Sequence, residues 1–280
     1  MKPVPLCLLS AVLLTPDALA QSYVVGVEDL PFAPHYSLDA RGDYRGFARE
    51  VLDAFAADSG ISLSYKALPV EQLLPALQRG EIDLKYPDSP HWAGAQKAGM
   101  TLHYSQAVVD YVDGVLVAPQ RQGQALEGIR RLAMVQGWTP RGYEQRIDSG
   151  QIRLSYSDDL RQMIRQALKQ DTDGAYFNVV VATHYLDNIR ARPGALVFDP
   201  KLPHTRGSFH LSSARQPELI ARFDRFLGER AAQVAALKDK HRVEANLDSE
   251  YIGLEQWKVD FLERQKAKAG ARAPASDSVR

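Results

Sequence analysis

Apolar residues along the first eighty positions alternate between the repeat of a strand and the repeat of a helix. Phe47, Val51 and Phe55 recur at the four-residue spacing of one helix face, between two short apolar runs. The predicted order is strand, helix, strand, helix, at residues 23–27, 46–60, 61–65 and 70–80. Strands that alternate with helices in this way predict parallel pairing through right-handed crossovers.

The segment Ile82–Pro119 organises the rest of the chain. It finishes a strand at residues 82–84 and closes with a long apolar strand at residues 114–118. Between these strands lies a group of turn formers and aromatic residues: Tyr86, Pro87, Pro90, His91 and Trp92. We interpret the segment as the floor of a ligand cleft, followed by the first crossing from one lobe to another.

The alternation resumes after residue 118 and predicts a second α/β unit. Strands are predicted at residues 132–136, 152–154, 174–177, 195–198 and 209–211. Helices are predicted from Thr139-Pro140 onward and at residues 157–168, 178–189, 217–227 and 230–240. These elements predict two α/β units, at about residues 22–111 and 112–206. The C-terminal segment could pack against either unit. Residues 265–280, rich in Lys, Ala, Arg, Ser and Pro, predict a disordered tail.

The N-terminal residues predict export. Residues 1–20 have the form of a cleavable signal peptide, with Lys2, an apolar stretch at Val4–Leu14 and the small-residue site Ala18-Leu19-Ala20. The apolar stretch is too short for a bilayer, so a membrane anchor is the less favoured alternative. We expect cleavage after Ala20 and a monomer in the periplasm.

Composition and motif searches exclude several classes of function. The chain of 280 residues carries 34 basic and 34 acidic side chains, which argues against nucleic-acid binding. The one cysteine, Cys7, lies in the predicted signal peptide, so disulfides and thiolate chemistry are excluded from the mature chain. Histidines at metal spacing, a phosphate-binding loop and a nucleophile elbow are all missing from the sequence. We therefore expect no metal, no cofactor and no catalytic residue.

The carboxyl ends of the predicted strands indicate where a ligand binds, because ligands of open α/β sheets bind beyond those ends. The ends carry residues 29–32, 85–92, 136–139 and 176–178. We call each of these sheet edges a rim. If the rims of the two units face each other, they form a cleft.

Aromatic residues and one turn on these rims are candidates for ligand contact. Trp138-Thr139 follows a strand and precedes a predicted helix start, where unpaired backbone N–H groups attract an anion; a plain capped turn is the alternative. The candidates for stacking on a ring or a flat apolar ligand, each with core packing as its alternative, are Phe32, Tyr86, Trp92 and Trp138.

Polar residues on the same rims complete the predicted ligand site. Lys85 is a candidate cation, His91 a hydrogen-bond donor and Asn178 a neutral donor and acceptor. Glu28 and Asp29 are candidate partners for a cationic or hydroxyl group of the ligand.

Six short motifs, in this order, resemble the periplasmic solute-binding proteins of family 3, the polar amino-acid type. The resemblance covers nearly the whole mature chain, although Ala48 stands where an acidic residue is usual. The motifs are Val25-Gly26-Val27 before Pro31-Phe32; Gly46-Phe47 with Glu50; Leu73-Leu74-Pro75-Ala76-Leu77 with Gly80, Ile82 and Asp83; Tyr104-Ser105 with Gly114-Val115-Leu116-Val117; Asp173-Gly174-Ala175; and Phe209-His210-Leu211 before Pro217-Glu218-Leu219.

The resemblance implies the type II periplasmic binding fold, an α/β fold of two lobes. Each lobe has a mostly parallel sheet flanked by helices, and two crossing strands act as a hinge that closes on the ligand. The C-terminal segment is implied to return to the first lobe. Lobe 1 is then residues 22–111 plus 207–264, lobe 2 is residues 112–206, and an ABC-type permease is the usual partner.

Two departures from the family argue against a standard α-amino acid as ligand. The family grips a ligand carboxylate with an arginine, whereas residues 85–92 contain none. It holds the ammonium with an aspartate, and Asn178 stands at that place. A bidentate carboxylate clamp and a counter-ion are thus both missing.

We therefore predict a periplasmic protein that binds a small polar or aromatic organic solute and serves a transporter. One alternative is an enzyme on the same scaffold, similar to cyclic-acid dehydratases, with Glu28 as general acid beside Lys85 or His91; a raised pKa of Glu28 would favour it. The other is a sensory or accessory protein without a transporter.

Overall fold

A computed structural model describes residues 21–138, 140–157, 160–190, 192–254 and 256–272. The predicted signal peptide, the candidate ligand residue Thr139 and residues 273–280 of the predicted tail lie outside the described residues.

The predicted helices and strands are present in the predicted order, together with three short strands and two α-helices of the described chain that the periodicity did not predict. The strands are β1 (Ser22–Glu28), β2 (Ser37–Leu38), β3 (Tyr44–Arg45), β4 (Ser62–Leu68), β5 (Leu84–Asp88), β6 (His103–Tyr104), β7 (Val109–Val117), β8 (Arg131–Val135), β9 (Arg153–Ser157), β10 (Gly174–Asn178), β11 (Val197–Phe198) and β12 (Thr205–Ser213). The helices are α1 (Phe47–Ser59), α2 (Val70–Arg79), α3 (Gly94–Lys97), α4 (Glu144–Asp148), α5 (Leu160–Leu168), α6 (Val179–His184), α7 (Pro217–Glu229), α8 (Ala231–His241) and α9 (Gln256–Arg272).

Ten strands of the described chain form one sheet with two parallel halves. Its order is β4-β1-β5-β12-β7-β10-β8-β9, with β6 beside β12 and β11 beside β7. β1 pairs in parallel with β4 and β5, and β8 pairs in parallel with β9 and β10. The strands β7 and β12 run antiparallel between these halves and join them. The predicted two-lobed α/β fold with two crossing strands is thus confirmed.

The two lobes are defined by the helices that cover each half of the sheet. Lobe 1 holds β1, β4 and β5 with α1, α2, α7 and α8, and lobe 2 holds β8, β9 and β10 with α5 and α6. The predicted lobe boundaries, 111/112 and 206/207, fall within the crossing strands. No helix among the described residues has both the length and the apolar character needed to cross a bilayer.

The helices of lobe 1 begin and end where the sequence predicts. In α1 the side chains of Phe47, Val51 and Phe55 are buried against the sheet. Both α1 and α2 end at a glycine in the left-handed conformation, Gly60 at φ 63° and Gly80 at φ 78°. A glycine adopts that conformation without a Cβ clash, and its N–H bonds the last carbonyls of the helix.

The strand β5 differs from the sequence prediction. The turn formers at Tyr86 and Pro87 predicted a loop, whereas the strand continues to Asp88 and pairs with His210 and Ser212 of β12. Pairing with a distant strand here outweighs the local preference for a turn.

The helix after Trp138 also begins later than predicted. The pattern placed its start at Thr139-Pro140, but α4 begins only at Glu144. Gly142 lies between them at φ 86°, a left-handed conformation that cannot continue a helix.

The C-terminal segment differs from the prediction that all of residues 207–264 belong to lobe 1. The helices α7 and α8 do pack on α1. After them Leu247 is buried in an apolar cluster with Val112, Val179 and Phe198. These partners lie in lobe 2 and its crossing strand, so the return to lobe 1 ends near α8.

The helix α9 covers residues 265–272, where the composition predicted disorder. Ala, Lys, Gln and Arg have high helix propensities, and they make up most of this stretch. The structure therefore contradicts the predicted disorder for residues 265–272.

We expect Gly174→Ala, in the first position of β10, to lower the free energy of unfolding by about 1–3 kcal/mol. A Cβ at this position would lie 2.6 Å from Val115 Cγ1 and 2.9 Å from the backbone oxygen of Leu116, which cannot move aside easily. Urea denaturation of the two proteins measures the difference.

Gly228→Ala, in α7, is the matched control. A Cβ there meets no atom within 4 Å, so the variant should be as stable as the wild type or more stable, by up to about 1 kcal/mol. Equal effects at the two positions would show that packing at Gly174 is not the cause.

Candidate functional site

The strand ends of the two lobes border a cleft of about 740 Å³, which includes the part open to solvent. The wall combines aromatic rings with a group of acidic and basic side chains.

Aromatic rings from both lobes meet on one side of the cleft. Phe32, which follows β1, stacks on Tyr36 with 4.9 Å between ring centroids. Trp138, which follows β8, stacks on Phe177 of β10 at 4.8 Å. The two pairs contact each other through Phe32 and Trp138, whose ring centroids are 5.7 Å apart and whose ring planes meet at 78°, an edge-to-face arrangement. This wall offers flat apolar surface to a ligand.

A second aromatic group comes from the crossing strands. Phe209 of β12 stacks on Tyr111 of β7 at 4.6 Å, and the ring of Trp92 lies 5.6 Å from Phe209. The indole N–H of Trp92 donates to the hydroxyl of Tyr111 over 3.0 Å. That hydrogen bond fixes the orientation of the indole ring, so this side of the cleft is preformed.

The lobes contact each other at the cleft mouth. Arg141 Nη1 of lobe 2 donates to the backbone oxygen of His91 in lobe 1 over 2.9 Å. A Cβ on Gly137 would lie only 3.2 Å from the backbone nitrogen of Glu71 in α2. Such close approach across the cleft describes a closed arrangement.

A buried ion triad lies at the end of β5. Asp88 is completely buried, and its Oδ1 lies 3.0 Å from Lys85 Nζ and 2.8 Å from Lys97 Nζ. Ser212 Oγ of β12 donates to its Oδ2 over 2.7 Å. Burial alone would raise the pKa of Asp88, but the two ammonium groups and Ser212 outweigh it and hold that pKa below its usual value.

Lys85 is satisfied within this triad. Its ammonium also donates to the backbone oxygen of Pro87 over 2.8 Å. Two of its three N–H groups therefore have protein partners, which leaves little of the predicted free cation.

Two buried or half-buried carboxyl groups on the cleft wall have no ion-pair partner among the described residues, and a third, that of Glu71, is exposed. Glu28, at the end of β1, is buried and accepts a 2.5 Å hydrogen bond from the hydroxyl of Tyr36. Burial raises the pKa of Glu28 against the opposing effects of Tyr36 and Lys85. Asp113 of β7 is partly accessible, and its removal from water raises its pKa to about 7, with Glu28 adding to the shift.

Asn178 is fully buried and begins α6. Its Oδ1 accepts from the backbone N–H of Val181 over 3.0 Å, a helix cap. Asn178 pairs with Asp113 across the β10–β7 ladder, and its side-chain amide interacts with the Asp113 carboxyl and opposes part of the rise in the pKa of Asp113.

The structure brings half of the predicted site residues to the cleft wall. These are Glu28, Phe32, Lys85, Trp92 and Trp138.

The other predicted residues lie elsewhere. Asp29 and His91 are exposed away from the wall, while Asn178 is buried beside it as a helix cap. Tyr86 pairs with Val27 inside the sheet and is 1% exposed, so core packing accounts for its ring. Thr139 lies outside the described residues.

Sequence reasoning missed four charged residues of the wall and two rings. They are Glu71, Asp88, Lys97, Asp113, Tyr36 and Phe209. A signal for Asp113 existed: an acidic residue within an apolar strand is rare unless it has a function. Among the described residues, no cluster of three His, Cys, Asp or Glu side chains has metal-site geometry.

We expect Asp113→Asn to stabilise the protein at pH 8 and to lose that advantage as the pH falls towards 4. The folded pKa, about 7, lies above the unfolded value of 3.8. The folded state therefore binds more protons between these values, and the wild type loses stability as the pH rises through this window. Melting temperatures of both proteins from pH 4 to pH 8 measure the effect.

Asp110→Asn, at an exposed position of the same strand, is the control. An exposed carboxylate has no desolvation cost to relieve, so no gain that depends on pH is expected. If Asp113→Asn raises the melting temperature by the same amount at pH 4 and pH 8, the raised pKa assigned to Asp113 is contradicted.

We expect Asp88→Ala to lower the free energy of unfolding by about 3–5 kcal/mol, because it leaves two buried ammonium groups without a counter-ion. Asp248→Ala removes a carboxylate that is 97% exposed and paired with Arg206, and it should leave stability unchanged. Denaturant titration compares them; a loss at Asp88 no larger than at Asp248 would rule out a structural role for the triad.

Three comparisons place these features among known proteins. The profile of the bacterial extracellular solute-binding proteins, family 3, matches residues 23–241. A segment of 53 residues is 36% identical to the "Probable histidine-binding protein" of Neisseria gonorrhoeae and covers 19% of this chain and 20% of that protein. The match thus spans about a fifth of the length of that curated relative.

Solved structures share the fold at low identity. An ancestral arginine-binding protein bound to arginine superposes with a TM-score of 0.65 and 16% identity, over 79% of this chain and 97% of that one. The arginine-, lysine-, histidine-binding protein ArtJ from Geobacillus stearothermophilus gives 0.63 and 19%, over 79% and 95%. The resemblance predicted from the six motifs is confirmed.

Proposed function

The chain belongs to the bacterial extracellular solute-binding proteins, family 3, and from that membership we propose that its cleft closes on a small polar or aromatic organic solute. The observation that carries the proposal is the aromatic wall, in which Phe32 of lobe 1 meets Trp138 and Phe177 of lobe 2. A flat solute packed against these rings from the cleft would contact both lobes, and it would therefore favour the closed arrangement over the open one.

The crossing strands β7 and β12 are the proposed hinge. Each passes from one half of the sheet to the other, and together they form the short connection between the lobes. A small change of backbone angles there would separate the strand ends that border the cleft.

A standard α-amino acid is not the proposed solute, although the similar proteins named above are described as arginine- or histidine-binding. Residues 85–92 contain no arginine, and Lys85 already donates to Asp88 and Pro87. The helix after Trp138 begins only at Glu144, so its N-terminus does not follow the strand directly. Neither feature favours a ligand carboxylate.

The place of action and the partner are part of the proposal. We propose cleavage after Ala20, a monomer in the periplasm, and delivery of the solute to an ABC-type permease. The family and the form of residues 1–20 support export, and the balanced charge argues against a nucleic-acid partner.

The dehydratase alternative receives support from one feature only. The pKa of Glu28 is raised, as a general acid requires. Its expected catalytic partners do not assist it, because Lys85 is bound to Asp88 and His91 is exposed outside the wall. A buried carboxyl that waits for a ligand would show the same shift, so binding is the function proposed.

A thermal-shift screen of purified protein, unfolded and refolded to remove bound solute, tests the proposal. The panel contains amino acids, aromatic acids, polyamines, sugars and small peptides. A solute at a hundred times its dissociation constant should add about 2.7 kcal/mol of stability. Trp138→Ala should abolish most of that gain, because it removes one face of the wall.

Trp257→Ala is the matched control, since this indole lies on α9 and is 57% exposed. It should leave the ligand-induced shift unchanged. If no solute of any class stabilises the refolded protein, the binding function is wrong and the sensory alternative gains weight.

A further inference from the structure

The cleft wall has an unbalanced electrostatic character. Glu28 and Asp113 face it, and among the described residues no basic side chain lies within ion-pair distance of either carboxyl group. The hydroxyl of Tyr36 occupies a single oxygen of Glu28, and the neutral side-chain amide of Asn178 interacts with the carboxyl of Asp113. Both carboxyl groups therefore keep acceptor capacity for a ligand.

The two lysines of the wall are held by protein acceptors, although the charge of Lys85 still opposes part of the rise in the pKa of Glu28. Lys85 and Lys97 share Asp88 Oδ1, at 3.0 and 2.8 Å. Lys97 also donates to the backbone oxygen of Ser89 over 2.6 Å, as Lys85 does to that of Pro87 over 2.8 Å. Lys97 has two hydrogen-bond acceptors and Lys85 has one acceptor and an ion pair, so a ligand anion would find few free donors here.

The aromatic groups add negative potential from their faces. Phe32, Trp92 and Trp138 line the same space as the two acids. The face of an aromatic ring attracts a cation within about 6 Å, most strongly when water is excluded. A carbon skeleton beside the charge would be buried by the same rings.

We propose that the solute is a small organic cation without a carboxylate group, a primary or quaternary ammonium compound, whose charge lies between Glu28 and Asp113. Its apolar part packs against Phe32, Trp92 and Trp138. The inference rests on the proposed solute-binding function and names the chemical class that the same cleft takes.

The proposal has a consequence for protons. Burial raises the pKa of both carboxyl groups, and a bound cation favours their ionised forms. The charged groups that act on them are Lys85 and Asp88 of β5, which both act on Glu28; Asn178 beside Asp113 is neutral. Binding of a permanent cation should release protons and strengthen as the pH rises from about 6 to about 8.

A matched series of probes separates charge from shape. Isothermal titration of refolded protein compares benzylammonium, benzyl alcohol, benzoate and phenylalanine, which share one ring and differ in charge. Tetramethylammonium serves as the permanent cation for the pH series. Benzylammonium should bind at least about tenfold more tightly than each of the other three ring compounds.

Two variants assign the charge to its residues. Asp113→Asn and Glu28→Gln should each weaken benzylammonium by about ten- to a hundredfold, while benzyl alcohol changes little. The amide introduced by Glu28→Gln keeps an oxygen for the Tyr36 hydroxyl, and Asp113→Asn removes a buried charge, so both variants should fold. Asp110→Asn is the control and should leave every affinity unchanged. If a variant fails to fold, the wild-type series alone decides.

The outcomes distinguish this inference from the proposed function. Benzyl alcohol or benzoate binding in preference to benzylammonium overturns the cation while leaving solute binding intact. Phenylalanine binding as tightly as benzylammonium overturns the exclusion of a carboxylate. If neither cation binds while another solute stabilises the protein, the inference alone is overturned. If no solute binds, both the inference and the proposed solute-binding function are contradicted.

Discussion

The antiparallel pairing of β7 with β12 is the contact on which the rest of the structure depends. Five residue pairs, from Asp113–Thr205 to Val109–Phe209, join two half-sheets that are otherwise parallel. Tyr111 and Asp113 lie two residues apart on β7 and therefore share one face of the strand, and Phe209 stacks on Tyr111 from β12. The hinge and the floor of the cleft are thus built from the same ladder.

Asp88 decides the charge that the cleft presents. Two lysines and one aspartate give the end of β5 one formal net positive charge. In the structure the lysines converge on Asp88 Oδ1 and form further hydrogen bonds with backbone oxygens. The ammonium groups of the triad are therefore held by protein acceptors, and the carboxyl groups of the wall without an ion pair are those of Glu28, Asp113 and the exposed Glu71. The balanced count of basic and acidic residues over the whole chain cannot reveal which charged side chains of the wall are paired and which are not.

The sequence predicted the fold better than the site, for physical reasons. Periodicity and left-handed glycines such as Gly60 depend on local chemistry, so the helices of lobe 1 lie where expected. Tyr86 was misassigned because β5 is set by pairing with β12, more than 120 residues away, which turns its ring into the core. Asp113 was missed because its meaning depends on two neighbours, Asn178 across the ladder and Glu28 across the cleft.

Closure and ligand charge are coupled through these two acids. Contact between the lobes, as between Arg141 and His91, removes water from the cleft. An ionised carboxylate loses hydration when this happens, and without a partner it resists closure or takes up a proton. A cation between the two groups replaces the lost water with opposite charge, and the aromatic walls then gain apolar contact with its skeleton. A ligand closes a hinge only if it binds the closed state more tightly than the open state. Here that difference would come from the carboxylates of Glu28 and Asp113, whose desolvation disfavours the closed cleft until a cation binds between them.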